Sequence, residues 1–104
     1  MGKIYTNQSR LKIYISTGSN LIEASSVYIN GTEPDGSAIS PQLTTTIEDA
    51  DTGLVSFELG TYYLAPSFTF TAAGTWILWV EVAYIGGKIA YGEPFHLNVY
   101  APGT

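Results

Sequence analysis

Apolar and polar residues alternate with a period of two along most of the chain. The longest such run follows Gly74-Thr75 and has two clearly different faces. One face carries Trp76, Leu78, Val80, Val82 and Tyr84, and the other carries Ile77, Trp79, Glu81, Ala83 and Ile85. Alternation of this kind predicts a β-strand with one face in a core. No window longer than about ten residues shows the 3.6-residue period of an amphipathic helix.

Shorter alternating runs recur along the sequence and are separated by turn-forming residues. The runs lie at 11–15, 26–30, 42–48, 55–59, 88–91 and 95–99. Gly86-Gly87 predicts a tight hairpin, because both positions can take a positive φ. About seven short strands with turns every 8–12 residues predict an all-β, antiparallel β-sandwich.

The 104 residues are enough for one domain and its core. We expect a sandwich domain over 11–100, an extended polar arm over 1–10 and a short tail over 101–104. The stretch 61–71 is the least regular, and Pro66 argues against a central strand there.

Composition excludes several functional classes. There is no cysteine, which excludes a disulfide framework, a cysteine zinc site and a thiol nucleophile. The net charge of −5 argues against nucleic acid as a partner. The longest apolar run, 76–80, is too short to span a membrane, and no secretory signal is visible. Residues 1–22 hold three bases and no acid, whereas all nine acids follow. A basic lead segment on an acidic body is typical of an interaction arm or, equally, of a solvated surface.

Candidate chemistry is sparse. His96 is the single histidine, so it cannot form a metal cluster with other imidazoles, and no Gly-x-Ser-x-Gly motif is present. We therefore expect no catalytic residue, no cofactor and no enzyme activity. The turn over 48–51 (Glu-Asp-Ala-Asp) concentrates oxygen donors that could hold Ca²⁺, but such side chains also cap their own turns. No metal site is predicted there.

The outward face of the long strand is the strongest candidate for partner binding. Trp79, with Ile77 and Ile85, would leave an unusual apolar patch if it were fully exposed. Either the arm or the 61–71 segment covers this face, or the face is a subunit interface with tryptophan as its anchor. Further candidate contact residues are the aromatic and basic side chains of the arm, the first strand and the irregular stretch: Lys3, Tyr5, Arg10, Lys12, Tyr62 and Tyr63.

Several segments, taken in order, resemble the small immunoglobulin-like domains of tailed-phage virion proteins. That family includes the N-terminal domain of baseplate upper proteins and related head and tail modules. The matching segments span about 11–100 and are Leu21–Ile29, Pro34–Ser37, Gly53–Leu59, Ala73–Trp76, Gly86–Lys88 and Gly92–Phe95. Residues 60–72 fit the family least well, because that connection is longer and more aromatic.

The resemblance implies an immunoglobulin-like sandwich that assembles with other virion proteins and has no catalytic role. A chain of this length suggests a capsid decoration or head–tail accessory protein, found in the virion and assembled in the bacterial cytoplasm. Its expected partners are the major capsid protein, other virion proteins or further copies of itself, without nucleic acid or membrane. The alternatives are a carbohydrate- or cell-surface-binding module and a baseplate or tail component.

Overall fold

The computed structural model describes residues 3–39, 42–60 and 68–104. Those residues form nine β-strands and no helix. The strands are β1 (Ile4–Tyr5), β2 (Lys12–Ser16), β3 (Ala24–Thr32), β4 (Leu43–Thr44), β5 (Thr46–Asp49), β6 (Leu54–Glu58), β7 (Gly74–Tyr84), β8 (Ile89–Tyr91) and β9 (Phe95–Tyr100). The predicted all-β class is therefore confirmed, although several of the strands are only two or three residues long.

The strands form two sheets around one core. The larger sheet has six strands in the order β1-β9-β7-β3-β4, and β8 also pairs with β7. The smaller sheet has the order β2-β6-β5. Buried residues of both sheets, such as Val55 from β6 and Leu78 from β7, belong to one apolar cluster. The two-layer arrangement confirms the predicted sandwich.

The eleven-residue strand β7 forms the centre of the larger sheet. Its inward residue Trp76 is fully buried, and its indole N–H donates to the carbonyl oxygen of Ala72 at 2.9 Å. The ring packs edge-on against Phe70, with 4.9 Å between the ring centroids. Opposite β7, Gly31 of β3 approaches so closely that a Cβ atom there would lie 2.4 Å from the Ile77 carbonyl oxygen. Glycine thus allows β3 and β7 to pack in register.

The run 42–48 forms two strands, not the single strand that its alternation predicts. β4 pairs with β3 in the larger sheet, whereas β5 pairs with β6 in the smaller one. The chain changes sheets at Thr45, whose hydroxyl donates to the carbonyl oxygen of Val27 at 2.7 Å. This bond holds the crossing segment against β3.

The N-terminal segment lies on the sandwich, where the sequence predicted an arm outside it. Ile4 is buried, and β1 pairs in parallel with the end of β9. Backbone N–H groups of Asn7 and Arg10 donate to the carbonyl oxygens of Phe70 and Leu59. The apolar side chain of Ile4 explains this arrangement, since burying it removes its surface from water. The β1–β9 pair is also the one parallel pair among the described strands, which departs from a wholly antiparallel sandwich.

Candidate functional site

The side of the larger sheet that faces away from the core is the outer face. Along β7 it carries the alternate residues Ile77, Trp79, Glu81 and Ala83. Cross-strand pairing adds the residues directly opposite them: Asn30, Tyr28 and Ser26 from β3, Tyr91 and Ile89 from β8, and His96 from β9. The outer face therefore combines aromatic, aliphatic and amide side chains.

The centre of the outer face is a polar network. The Glu81 carboxylate accepts one hydrogen bond from the Asn30 amide at 3.3 Å and another from the Gln42 amide at 3.2 Å. The three side chains come from three different segments, and the network fixes their positions. Because amides already satisfy one carboxylate oxygen, this acid needs no basic partner to remain partly buried.

Apolar side chains form a rim at the β7–β8 hairpin. Ile85 is 72% exposed, Ile89 55% and Tyr91 66%. Ile22 is 63% exposed and lies at the same end of the sheet. The carbonyl oxygen of its neighbour Glu23 accepts a hydrogen bond from the Ile85 N–H at 3.0 Å. These four residues are called the hairpin rim below. Ile89 and Tyr91 lie on the outer face, opposite Ala83 and Glu81 of β7, and the exposure of all four side chains is unusual for residues of their size.

Three of the predicted contact residues lie along β7 and at the residue that follows it. Trp79 and Ile77 are half-buried on the outer face, and Ile85 lies in the hairpin rim. Tyr62 and Tyr63 lie outside the described residues. The sequence analysis missed Ile89 and Tyr91, because only the cross-strand register places them beside β7.

The predicted basic and N-terminal residues lie elsewhere. Lys3 places its ammonium 4.8 Å from the centre of the Tyr100 ring, and the Tyr5 hydroxyl lies 3.4 Å from the Thr104 carbonyl oxygen. Both contacts lie at the end of the sheet where β7 begins. Arg10 is exposed at a positive φ of 62°. Residues 3–10, the part of this segment that the structure describes, therefore do not cover the hairpin rim.

Lys12 belongs to a charged cluster on the smaller sheet. Its ammonium lies 3.1 Å from the Glu48 carboxylate, which also accepts a hydrogen bond from the Ser56 hydroxyl. The Ser56 hydroxyl, followed by the Lys12 ammonium, lowers the pKa of Glu48. The same carboxylate, through its hydrogen bond and charge, raises the pKa of Lys12. A lysine held in its charged form is a poor general base, so the geometry favours a structural role.

Metal-ligating and catalytic constellations are not seen in the described part of the chain. Within residues 3–39, 42–60 and 68–104, no group of three or more His, Cys, Asp or Glu side chains could hold a metal ion. In the turn after β5, the Asp49 carboxylate accepts the backbone N–H groups of Asp51 and Thr52. His96 is exposed on the outer face opposite Ile77. No helix among these residues is long and apolar enough to cross a membrane.

Two hollows open where the edges of the two sheets meet. The first, of about 210 Å³, lies beneath β8. The second is a wider groove of about 540 Å³ beside the segment that joins β8 to β9. The first is lined by Thr17, Ser19, Val80, Val82, Ala90, Tyr91, Gly92 and Glu93, and the second by Tyr14–Thr17 and Glu93–Phe95. The β8 edge is therefore bordered by open space.

Comparison with known proteins gives one kind of match. No family model and no curated protein matches this chain. The chain is similar to the crystal structure of CopC from Methylosinus trichosporium OB3b, over 100% of its own length and 89% of that chain. The TM-score is 0.55 and the sequence identity is 14%. At this identity the likeness shows a common fold.

This finding corrects the functional prediction made from the sequence. The sandwich that resembled a phage structural domain is matched along its whole length by CopC, not by a capsid, tail or baseplate protein. The prediction of a phage virion structural protein, with its capsid, head–tail and baseplate placements, is therefore wrong. We set it aside together with its carbohydrate-binding alternative.

Proposed function

We propose that this chain is a non-catalytic binding protein that self-associates at the hairpin rim of its larger sheet. One observation carries the proposal: the hairpin rim exposes more than half of each of four large apolar side chains at one end of the larger sheet. The inner face of the same sheet is covered by the smaller sheet, whereas the described residues place no layer over the outer face.

The composition of this face suits contact with protein. Trp79, Tyr28 and Tyr91 supply large rings that lose little conformational freedom when bound, and such residues anchor protein interfaces. The Glu81 carboxylate already accepts two amide hydrogen bonds. Removing water from the centre of the face is therefore less costly than it would be for a carboxylate without donors.

A role without catalysis follows from the same residues. The one histidine of the chain lies opposite Ile77 on the outer face, and no carboxylate among the described residues forms an ion pair with it. The charged Lys12–Glu48 pair lies on the other sheet. This arrangement offers contact area and hydrogen bonds, and it offers no nucleophile beside a base.

The test is the mass of the purified chain by sedimentation equilibrium, from low micromolar to near-millimolar concentration. We expect a concentration-dependent dimer that Tyr91→Ser weakens about tenfold, since truncating an anchor ring costs more than about 1 kcal/mol. Tyr5→Ser is the matched control, because the Tyr5 hydroxyl lies beside Thr104 at the opposite end of the larger sheet. A chain that stays monomeric throughout this range, or equal weakening by both variants, would refute the proposal.

A further inference from the structure

β8 is an edge strand with an open side. It pairs with β7 through Glu81–Ala83, and no other described strand pairs with it. Tyr84 donates to the Lys88 carbonyl oxygen at 2.8 Å, and Gly92 donates to the Val80 carbonyl oxygen at 2.9 Å. Backbone groups of Lys88, Ala90 and Gly92 therefore point toward β7. Those of Ile89 and Tyr91 point toward the open side, because the direction alternates along an antiparallel strand.

The three-residue length of β8 is the one usual protection that this edge has, since no protective residue lies within the strand. Exposed edges of natural sheets commonly carry a charged residue, a proline or a bulge within the strand. Here the strand is Ile89-Ala90-Tyr91, with charges only outside it at Lys88 and Glu93. Two apolar side chains thus lie together at the rim of the molecule, with backbone groups that no described strand pairs.

We infer that two copies of this chain pair β8 against β8 in antiparallel fashion, centred on Ala90. Ile89 of each copy then lies opposite Tyr91 of the other, and the two pairs exchange four backbone hydrogen bonds. Both side chains are on the outer face. Each of the two cross-strand pairs therefore joins an aliphatic residue of one copy to an aromatic residue of the other. This inference rests on the proposed self-association and specifies the edge that forms it.

Two further features fit a second copy as the occupant. The strand has a positive residue before it and a negative residue after it, so antiparallel pairing places Lys88 of one copy opposite Gly92 of the other, one residue from its Glu93. The groove beside Glu93–Phe95 leaves space along the continuation of the same edge. The result is one continuous sheet across a two-fold axis, with the same patch used on both subunits.

The first test uses the absence of native cysteine. In the inferred dimer the two Ala90 residues form a pair without direct hydrogen bonds, with Cα atoms about 4.5 Å apart. That distance permits a disulfide, and Ala90 lines the 210 Å³ hollow, which has room for a sulfur atom. On mild oxidation we expect Ala90→Cys to form a covalent dimer at least tenfold faster than the exposed control Ala73→Cys. Equal rates would overturn the β8 pairing.

The second test changes the charge on the same edge. In the double variant Ile89→Lys/Tyr91→Lys, like charges oppose each other twice, and we expect the dimer dissociation constant to rise about tenfold. In Ile89→Lys/Tyr91→Glu the opposed charges are unlike, and we expect a constant close to that of the parent. Equal weakening of both variants would exclude the inferred register. If the parent dimerises and neither variant changes its dissociation constant, only the inference of β8 pairing is refuted. If the parent stays monomeric, the proposed function is refuted as well.

Discussion

At the scale of the residue, two tryptophans three positions apart have different environments. Trp76 is fully buried against Phe70, whereas Trp79 is half-buried on the outer face. An odd spacing along a strand places two side chains on opposite faces, so the sequence predicted this difference correctly. Alternation along β6 likewise directs Ser56 away from the core, and this residue is nevertheless 1% exposed. Alternation gives the direction of a side chain. It does not reveal that the Ser56 hydroxyl bonds to Glu48, which also pairs with Lys12.

The cluster around Ser56 predicts a pH dependence of stability. The pKa of Glu48 is lowered in the folded chain, first by the Ser56 hydroxyl and then by Lys12. Its contribution is therefore present above the ordinary carboxyl pKa and is lost as the pH falls through the lower, folded value. We expect Glu48→Gln to lose less stability than the parent between neutral pH and about pH 3. Urea unfolding at a series of pH values measures this, with Glu58→Gln as the control.

Lys12, the base of this ion pair, sets the alkaline limit of the same pH dependence of stability. The pKa of Lys12 is raised by its hydrogen bond to Glu48 and by the charge of that residue. The contribution of Lys12 is therefore complete below its ordinary pKa and is lost as the pH rises through the folded value. If the free energy of unfolding of Glu48→Gln falls in parallel with that of the parent at acid pH, the Glu48 carboxylate does not stabilise the fold.

At the scale of the element, the long strand and its hairpin could be predicted, and the sheet crossing could not. β7 has eleven residues of alternation, which a single pattern identifies. The run over 42–48 also alternates, yet it divides at Thr45 between two sheets. Alternation does not say which sheet a strand joins, because that depends on contacts distant in sequence. The same limit hid Ile89 and Tyr91 from the candidate site, since only the register places them on the outer face.

The hydroxyl of Thr45 is expected to stabilise this crossing. Thr45→Val keeps the shape of the side chain but removes the hydrogen bond to the Val27 carbonyl oxygen. We expect the free energy of unfolding to fall by about 1 kcal/mol, the usual value for one such bond. Thr44→Val, at the exposed neighbouring position, is the control and should change stability little. Equal effects at both positions would mean that the bond does not hold the crossing.

At the scale of the whole molecule, the sequence predicted the fold class and failed on function. Strand pattern and turn spacing are properties of the backbone, and they are shared by proteins as different in sequence as this chain and CopC, at 14% identity. The resemblance to phage domains used those same shared features, which explains why it fitted the fold and misled on the role. Binding surfaces depend on which side chains meet, and Trp79 alone did not reveal its neighbours.

The net charge gives a prediction for the assembly. Each copy carries a net charge of −5, so two copies repel one another at long range. Salt screens this repulsion, because the Debye length falls from about 30 Å at 0.01 M to about 10 Å at 0.1 M. We expect the dimer dissociation constant to decrease as salt is raised across that range, measured by sedimentation equilibrium. Glu58→Gln, which removes one negative charge on the other sheet, should make the dependence shallower. A constant that increases with salt would show that attraction between charges drives the assembly.

The parallel pairing of β1 with β9 has a practical consequence. It brings Ile4 beside Val99, next to the first residue of β7, whereas Ile85 follows the last residue of that strand. At about 3.3 Å per residue, roughly 30 Å of sheet separates the two ends. A fluorophore or surface tether joined to either terminus would therefore leave the Gly86-Gly87 tip unobstructed. A short linker between the termini would allow the chain to be reopened at that tip as a circular permutant.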